Sequence, residues 1–407
     1  MVPLDAPSST LALAGGRPLR SDAAPGWPVF EADEIAAATA VLTSGRVNYW
    51  TGEEGRAFER EFAEVVGTKH AVALSNGTVA LELALHALGV GPGDEVIVPS
   101  RTFIASASAV VAVGARPRCA DIDRDSGNLT PETIAAAITE RTRAVVVVHL
   151  GGWPADVDAI RELCSSHGIA VVEDCAQAHG ARLRGRAVGS LGHVAAYSFC
   201  QDKIMTTGGE GGMLTTSDDD IWERVWSRKD HGKDYATVHR TDHPPGFRWL
   251  HAQFGTNARM TEMQAAIGRV QLRKLPSWVA IRRRHAARLF ERLAHVPGVE
   301  APQPRPELES AHYRMYLRLD PTRLRAGWDR DRFVQAVAAE GVTCMVGSCS
   351  EIQRERAFEG YDRPVLPVAA ELGRTSVALL VHHTLRDIDI DYTAAAIEKV
   401  ATFACMG

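Results

Sequence analysis

Several common features are missing from this chain of 407 residues. No apolar run approaches the ~20 residues that cross a bilayer, and a stretch such as 107–115 is short enough for a buried helix or strand. The seven cysteines (Cys119, Cys164, Cys175, Cys200, Cys344, Cys349, Cys405) are scattered and include no C-x-x-C pair. Neither a zinc site nor a disulfide framework is suggested, so no metal is expected and the reading is of a reduced, cytoplasmic protein. Positive charge is not in excess either: 45 Lys plus Arg stand against 50 Asp plus Glu, a net charge of −5. A dedicated nucleic-acid binder normally leaves a basic footprint, so nucleic acid is not an expected partner, and neither is a membrane. The amino terminus carries Asp5 where a secretory signal has positive charge, and it has no convincing apolar core segment. After the first expected strand, Leu74-Ser-Asn-Gly-Thr-Val lacks the G-x-G-x-x-G spacing, which disfavours a dinucleotide-dependent oxidoreductase.

What is present is an average globular composition, 45% hydrophobic and 23% charged, at a length that suggests two or three folding units. The first ~30 residues are rich in Pro, Ala, Ser and Gly and read as an extended arm, 1–30. Helices are expected over 31–43 and 53–66, the second with Phe58, Phe62 and Val65–Val66 at helical spacing. Strands and helices then alternate. Strands are expected at 70–74, 95–99, 116–120, 144–149 and 169–173, and helices at 78–88, 103–113, 130–139 and 155–167. Thr130 followed by Pro131 is a helix start. Continuous Val-rich strands separated by helices mark a parallel sheet covered on both faces. This gives an α/β large domain over 31–265. Residues 266–407 then supply a linking helix, which Pro276 should end or kink, and a smaller α+β domain.

The chemistry concentrates in Val171-Val-Glu-Asp-Cys-Ala-Gln-Ala-His-Gly, Tyr197-Ser-Phe-Cys-Gln-Asp-Lys and Gly208-Gly-Glu-Gly-Gly. Glu173 and Asp174 emerge at the carboxyl edge of the sheet, where ligands bind in open α/β folds. Read from the residues alone, Asp174 either serves a ligand or caps the next turn. Lys203 lies between apolar segments. A lysine desolvated in that way has a lowered pKa and a nucleophilic amine suited to a Schiff base. The glycines beside Glu210 allow backbone to approach a bulky ligand.

Together with Ser75-Asn-Gly-Thr-Val-Ala-Leu, Pro99-Ser-Arg-Thr-Phe, Val148-His-Leu-Gly-Gly-Trp-Pro-Ala-Asp and Gly255-Thr-Asn-Ala-Arg-Met-Thr, these blocks resemble the DegT/DnrJ/EryC1/StrS family of sugar aminotransferases. The resemblance spans roughly residues 27–385 and implies a fold type I enzyme with a mostly parallel seven-stranded sheet and pyridoxal 5'-phosphate as cofactor. By motif position it implies that Lys203 holds the cofactor and shuttles a proton, and that Asp174 pairs with the pyridine nitrogen. Gln177 would hydrogen-bond near O3′, and Phe103 would stack on the ring unless it is an ordinary core aromatic. Gly77, Thr78 and Ser198 would bind the phosphate, although in isolation a plain turn and helix cap is the simpler account of Ser-Asn-Gly-Thr. Asn257 would reach the phosphate of a neighbouring subunit, which makes the expected unit a homodimer with shared sites.

The family's usual reaction carries an amino group from L-glutamate to a nucleotide-linked keto sugar by a ping-pong route. The Asn48-Tyr-Trp-Thr-Gly loop and the Gly347-Ser-Cys-Ser-Glu-Ile block lean toward a dTDP-linked 4-keto-6-deoxyhexose as acceptor and a 4-amino sugar as product. Alternatives are a 3-keto sugar or a keto-inositol in antibiotic biosynthesis. The sugar 3-dehydratases of the family are disfavoured because they carry histidine where Lys203 stands. Arg224, Arg228, Lys229 and Lys233 are candidates for the diphosphate, or simply a solvated helix face. His149 and His179 read as hydrogen-bonded core histidines, and Tyr313, Arg314, His382 and His383 receive no role.

Overall fold

The computed structural model describes residues 10–242 and 246–406. The first nine residues of the expected arm, Asp5 among them, lie outside that range. So do 243–245 of the expected large domain and 407 at the end of the smaller one.

Seven strands form the main sheet: β1 (His70–Leu74), β2 (Glu95–Pro99), β3 (Arg116–Ala120), β4 (Thr142–Val148), β5 (Ala170–Asp174), β6 (Val194–Ser198) and β7 (Gly212–Thr216). Their spatial order is β1-β7-β6-β5-β4-β2-β3. Strands β2 to β6 pair in parallel, and β7 runs antiparallel to both β1 and β6. The Val-rich sequence of β4 suits burial on both faces, because successive side chains alternate between two apolar layers. Ile97, Val145, Val147 and Val171 enter one core, while Val96, Val98, Val146 and Val172 enter the other.

A four-stranded antiparallel sheet follows, built from Val299–Glu300, Met315–Leu319, Ser376–Leu379 and Cys344–Met345. With the helices Arg330–Ala339 and Asp387–Ala404 it encloses a further core. The helix Glu262–Leu293 serves both regions. Leu272, Leu275, Trp278 and Val279 pack into the main-sheet core, and Ala286, Leu289, Phe290 and Leu293 into the other. Pro276, expected to end or kink this helix, does not end it. Its ring lies on the exposed side, between buried Leu275 and buried Trp278, so packing on the opposite face holds the helix across the missing N–H.

The helix expected over 130–139 is also shorter, Pro131–Ala135, although Thr130 does cap it. Its end tightens as Ala137 N–H bonds the Ile134 carbonyl at 2.8 Å, and Thr139 N–H turns to the Thr142 hydroxyl at 2.9 Å. Among the described residues no helix is long and apolar enough to cross a membrane.

Candidate active site

The carboxyl ends of β5 and β6 lie side by side, with Asp174 in register with Ala196. Asp174 is buried, and its two oxygens have different partners. Oδ1 accepts the Ala176 N–H at 3.1 Å, closing the turn that leaves β5, while Oδ2 accepts the Ser106 hydroxyl at 3.0 Å. Asp174 therefore does cap the turn that leaves β5. Burial pushes the carboxyl above its ordinary range, against the pull of these hydrogen bonds and of the Lys203 ammonium. Ser106, on the helix Ala105–Ala112, is held in turn by the Thr102 hydroxyl at 2.9 Å.

Lys203 follows β6 in a loop closed by its own N–H to the Cys200 carbonyl at 3.0 Å. Its Nζ lies 3.2 Å from Asp202 Oδ1 and 5.2 Å from the centre of the Tyr313 ring. Burial opposes its charge, yet Tyr313 and Asp202 outweigh burial and hold the ammonium above the ordinary lysine range. The sequence expectation of a lowered lysine pKa is therefore corrected, because a carboxylate beside the amine supplies what desolvation removes. Asp202 itself is raised by burial but brought below its usual value by Lys203 and by the Tyr313 hydroxyl, which donates to it. From the amino-terminal segment, Trp27 Nε1–H donates to the Lys203 carbonyl at 2.7 Å. The Trp27 ring meets Trp278 and His383 edge-on, and the Thr384 hydroxyl bonds the neighbouring Gly26 carbonyl at 2.9 Å.

A helix start that could cradle an anion lies beside β6. The helix Gly77–Ala87 begins there, with the Asn76 side chain accepting the Val79 N–H at 2.9 Å. The Gly77 and Thr78 N–H groups, in the first turn, have no partner within the helix. A Cβ at Gly77 would come within 2.7 Å of Ser198 Cβ, so only glycine lets the helix start approach the end of β6 this closely. Gly77, Thr78 and Ser198 are thus brought together. Phe103 is 68% exposed rather than a core aromatic. Gln177 is buried, and its Oε1 accepts the Gly151 N–H at 2.7 Å, which leaves its NH₂ as a donor. Asn257 is exposed on a loop whose backbone bridges to Asp230, and among the described residues no side-chain hydrogen bond joins it to this cluster.

A profile of the DegT/DnrJ/EryC1/StrS aminotransferase family matches residues 28–398. The chain belongs to this family. It is similar to the dTDP-3-amino-3,4,6-trideoxy-alpha-D-glucose transaminase of Streptomyces venezuelae, at 39% identity over 86% of each chain. It is also 39% identical to the L-glutamine:2-deoxy-scyllo-inosose aminotransferase of Streptomyces kanamyceticus, over 82% of this chain and 79% of that one. A solved aminotransferase structure from Psychrobacter cryohalolentis superposes with a TM-score of 0.91 at 49% identity, covering 93% of this chain and 99% of the other.

The aminotransferases of this family depend on pyridoxal phosphate, and this chain is a transaminase of that kind. Its residues fit the cofactor. The glycine-lined cradle suits a phosphate, the exposed Phe103 face suits a ring, and the buried Asp174 suits a basic ring nitrogen.

Other family-motif residues hold structure. Glu173 Oε1 accepts Leu191 and Gly192 N–H groups at 2.8 and 2.6 Å, while Oε2 accepts Gly189 N–H at 2.8 Å and meets His149 Nε2 at 3.1 Å. His149 Nδ1 accepts the Ala155 N–H, so Nε2 carries the proton. His149 is a hydrogen-bonded core histidine, as expected. His179 is equally buried, but neither ring nitrogen has a partner among the described residues, and burial brings its pKa down to about 3. The Glu210 carbonyl accepts from Thr207 and Gln264 while its side chain is exposed.

The cations considered for a diphosphate are committed within the chain. Lys229 is fully buried on Glu59 at 2.8 Å, Arg224 reaches the Ala87 carbonyl, Arg228 the Phe254 carbonyl and Lys233 Asp230. Lys229 and Lys233 are thus paired with carboxylates, while Arg224 is exposed and Arg228 half-buried, as on a solvated helix face. Tyr49 and Trp50 are likewise tied, to Glu59 at 3.0 Å and Asp230 at 2.6 Å. Sequence reasoning missed Asp202, beside Lys203, and Ser106, Thr102 and Trp27, which support the two central residues from distant segments. The only local signal was the adjacency of Asp202 to Lys203.

Proposed function

We propose that this chain transfers an amino group from L-glutamate to a dTDP-linked 4-keto-6-deoxyhexose, giving the 4-amino sugar by a ping-pong route. The observation that carries the reading is the convergence of Asp174, Lys203 and the Gly77–Ser198 cradle on the edge of two adjacent parallel strands. Bound pyridoxal phosphate supplies an aldehyde that condenses with amines and a ring that accepts electrons from the breaking C–H bond.

The chain's own residues do the rest. The Lys203 ε-amine would hold the cofactor and, when free, would take the proton from the amino-bearing carbon of the donor. The Asp174 carboxylate holds a proton on the ring nitrogen. Gly77 and Thr78 N–H groups and the Ser198 hydroxyl bind the phosphate, Phe103 stacks on the ring, and the Gln177 NH₂ donates to O3′. Asn257 reaches the phosphate site of a second copy, so the working unit is a homodimer.

The nucleotide-linked sugar is supported by the activity for which the Streptomyces venezuelae relative is named, and that name also favours a second reading, amination at C3. The Streptomyces kanamyceticus relative supports a cyclitol ketone as the other rival. Half-reactions followed by absorbance test all three. The loaded protein should lose its visible absorbance with L-glutamate and regain it with the dTDP-4-keto sugar. Recovery only with the 3-keto isomer, or only with a free keto-inositol, would replace the reading with that rival. Lys203→Ala should abolish the cycle while its melting curve remains cooperative.

A further inference from the structure

Arg282, on the long helix, is among the largest fully buried side chains of the chain, at 1% exposure. Its described hydrogen bond runs from Nη1 to the His312 carbonyl at a long 3.3 Å, and its Nε has no acceptor. No carboxylate lies within ion-pair distance of it among the described residues, although a buried cation without a counter-charge is costly. Arg282 lines a cavity of about 470 Å³ together with Trp27, Asp202, Tyr313, Arg314 and His382.

The other charges there do not balance it. Arg20, which also lines the cavity, is spent on Asp389 at 2.8 Å. Arg314 lies 4.0 Å from Asp202, a carboxylate already shared by Lys203 and Tyr313. His382 is brought down to about 3 by burial and by the two arginines, so it adds no charge at neutral pH. Burial and Arg314 bring Arg282 to about 9, so it remains a cation there. Two guanidinium groups therefore face one shared carboxylate. The planar fork of arginine suits an oxyanion held by paired hydrogen bonds.

We propose that Arg282 and Arg314 form the subsite for the distal carboxylate of the amino donor, a dicarboxylic amino acid. Its position supports this source. The Tyr313 ring that borders the cavity stands 5.2 Å from Lys203 Nζ, and glutamate places two methylene groups between its amino-bearing carbon and its distal carboxylate. The inference rests on the transamination reading above and adds the residues that select the donor.

Calorimetric titration of the loaded protein tests it with three probes: glutarate, pentanoate and inorganic pyrophosphate. Glutarate should bind, and pentanoate, lacking the second carboxylate, should bind at least about 10-fold more weakly. Arg282→Met should weaken glutarate binding about 10–100-fold. It should also raise the glutamate concentration that half-saturates the first half-reaction, leaving the keto-sugar half-reaction unchanged. If Arg282→Met does not fold, Arg314→Gln carries the same expectations at the lower end of that range. Tighter binding of pyrophosphate than of glutarate would assign the cavity to a phosphate and overturn the proposal. Equal binding of pentanoate, or glutarate binding indifferent to both substitutions, would overturn it too. Failure of every keto sugar to restore the absorbance, with glutarate binding intact, would count against the acceptor reading and leave this subsite standing.

Discussion

Glu173 and Asp174 are neighbours on β5, but consecutive strand residues face opposite sides of a sheet, and their surroundings differ accordingly. Glu173 meets three backbone N–H groups and a histidine, and although burial raises its carboxyl, those partners bring it below its ordinary range. Asp174 has one hydroxyl and one backbone N–H, too few to offset burial, and its carboxyl is raised. One carboxylate is satisfied by the fold. The other is left short of partners, which is the condition in which a cationic ring nitrogen is welcome. The same chemical group one residue apart serves the scaffold in the first case and the reaction in the second.

The contrast can be broken at either residue. Asp174→Ala should cost the most in function, a fall in amine transfer of about 10³-fold in single-turnover measurements. Its melting temperature should hold or rise, because a carboxyl raised in the folded state opposes folding as pH climbs from its unfolded value through its folded one.

Glu173→Ala should reverse the pattern. Three orphaned backbone donors and His149 should cost about 3 kcal/mol in denaturant unfolding. The wild-type support from Glu173 is fully present above the unfolded glutamate range and is lost as pH falls through its lowered folded value. Unfolding midpoints measured from neutral to acid pH should therefore drop in the wild type and drop less steeply in Glu173→Gln. The smallest effect belongs to Ser106→Ala, about five-fold in amine transfer, the equivalent of about 1 kcal/mol for one hydrogen bond to a carboxylate that keeps its other partner. A Ser106→Ala loss as large as that of Asp174→Ala would erase the distinction between a residue that acts and one that positions it.

Much of this was legible in the sequence because it is local. The Val-rich strands, the Glu173-Asp174 edge and the Lys203 loop each occupy a few consecutive residues, and alternation with helices announces the parallel sheet. What escaped depends on segments far apart in the chain. Ser106 touches Asp174 across 68 positions, Trp27 touches Lys203 across 176, and Tyr313 touches Asp202 across 111. Lys229 looked like a surface cation because its counter-charge, Glu59, lies 170 residues earlier. The raised lysine has the same origin: apolar neighbours in sequence predicted desolvation alone, and the fold added Tyr313. That the helix continues through Pro276 has a related reason, since the packing that steadies it comes from two separate cores.

The indole of Trp27 has one further consequence. The backbone oxygen of Lys203 accepts a hydrogen bond from an amino-terminal residue that is itself wedged among aromatic rings. Residues ahead of the first long helix therefore act as a clasp on the reactive loop. A version of the protein trimmed past Trp27 would keep every motif by which its family is recognised, yet present its lysine on a slackened hinge.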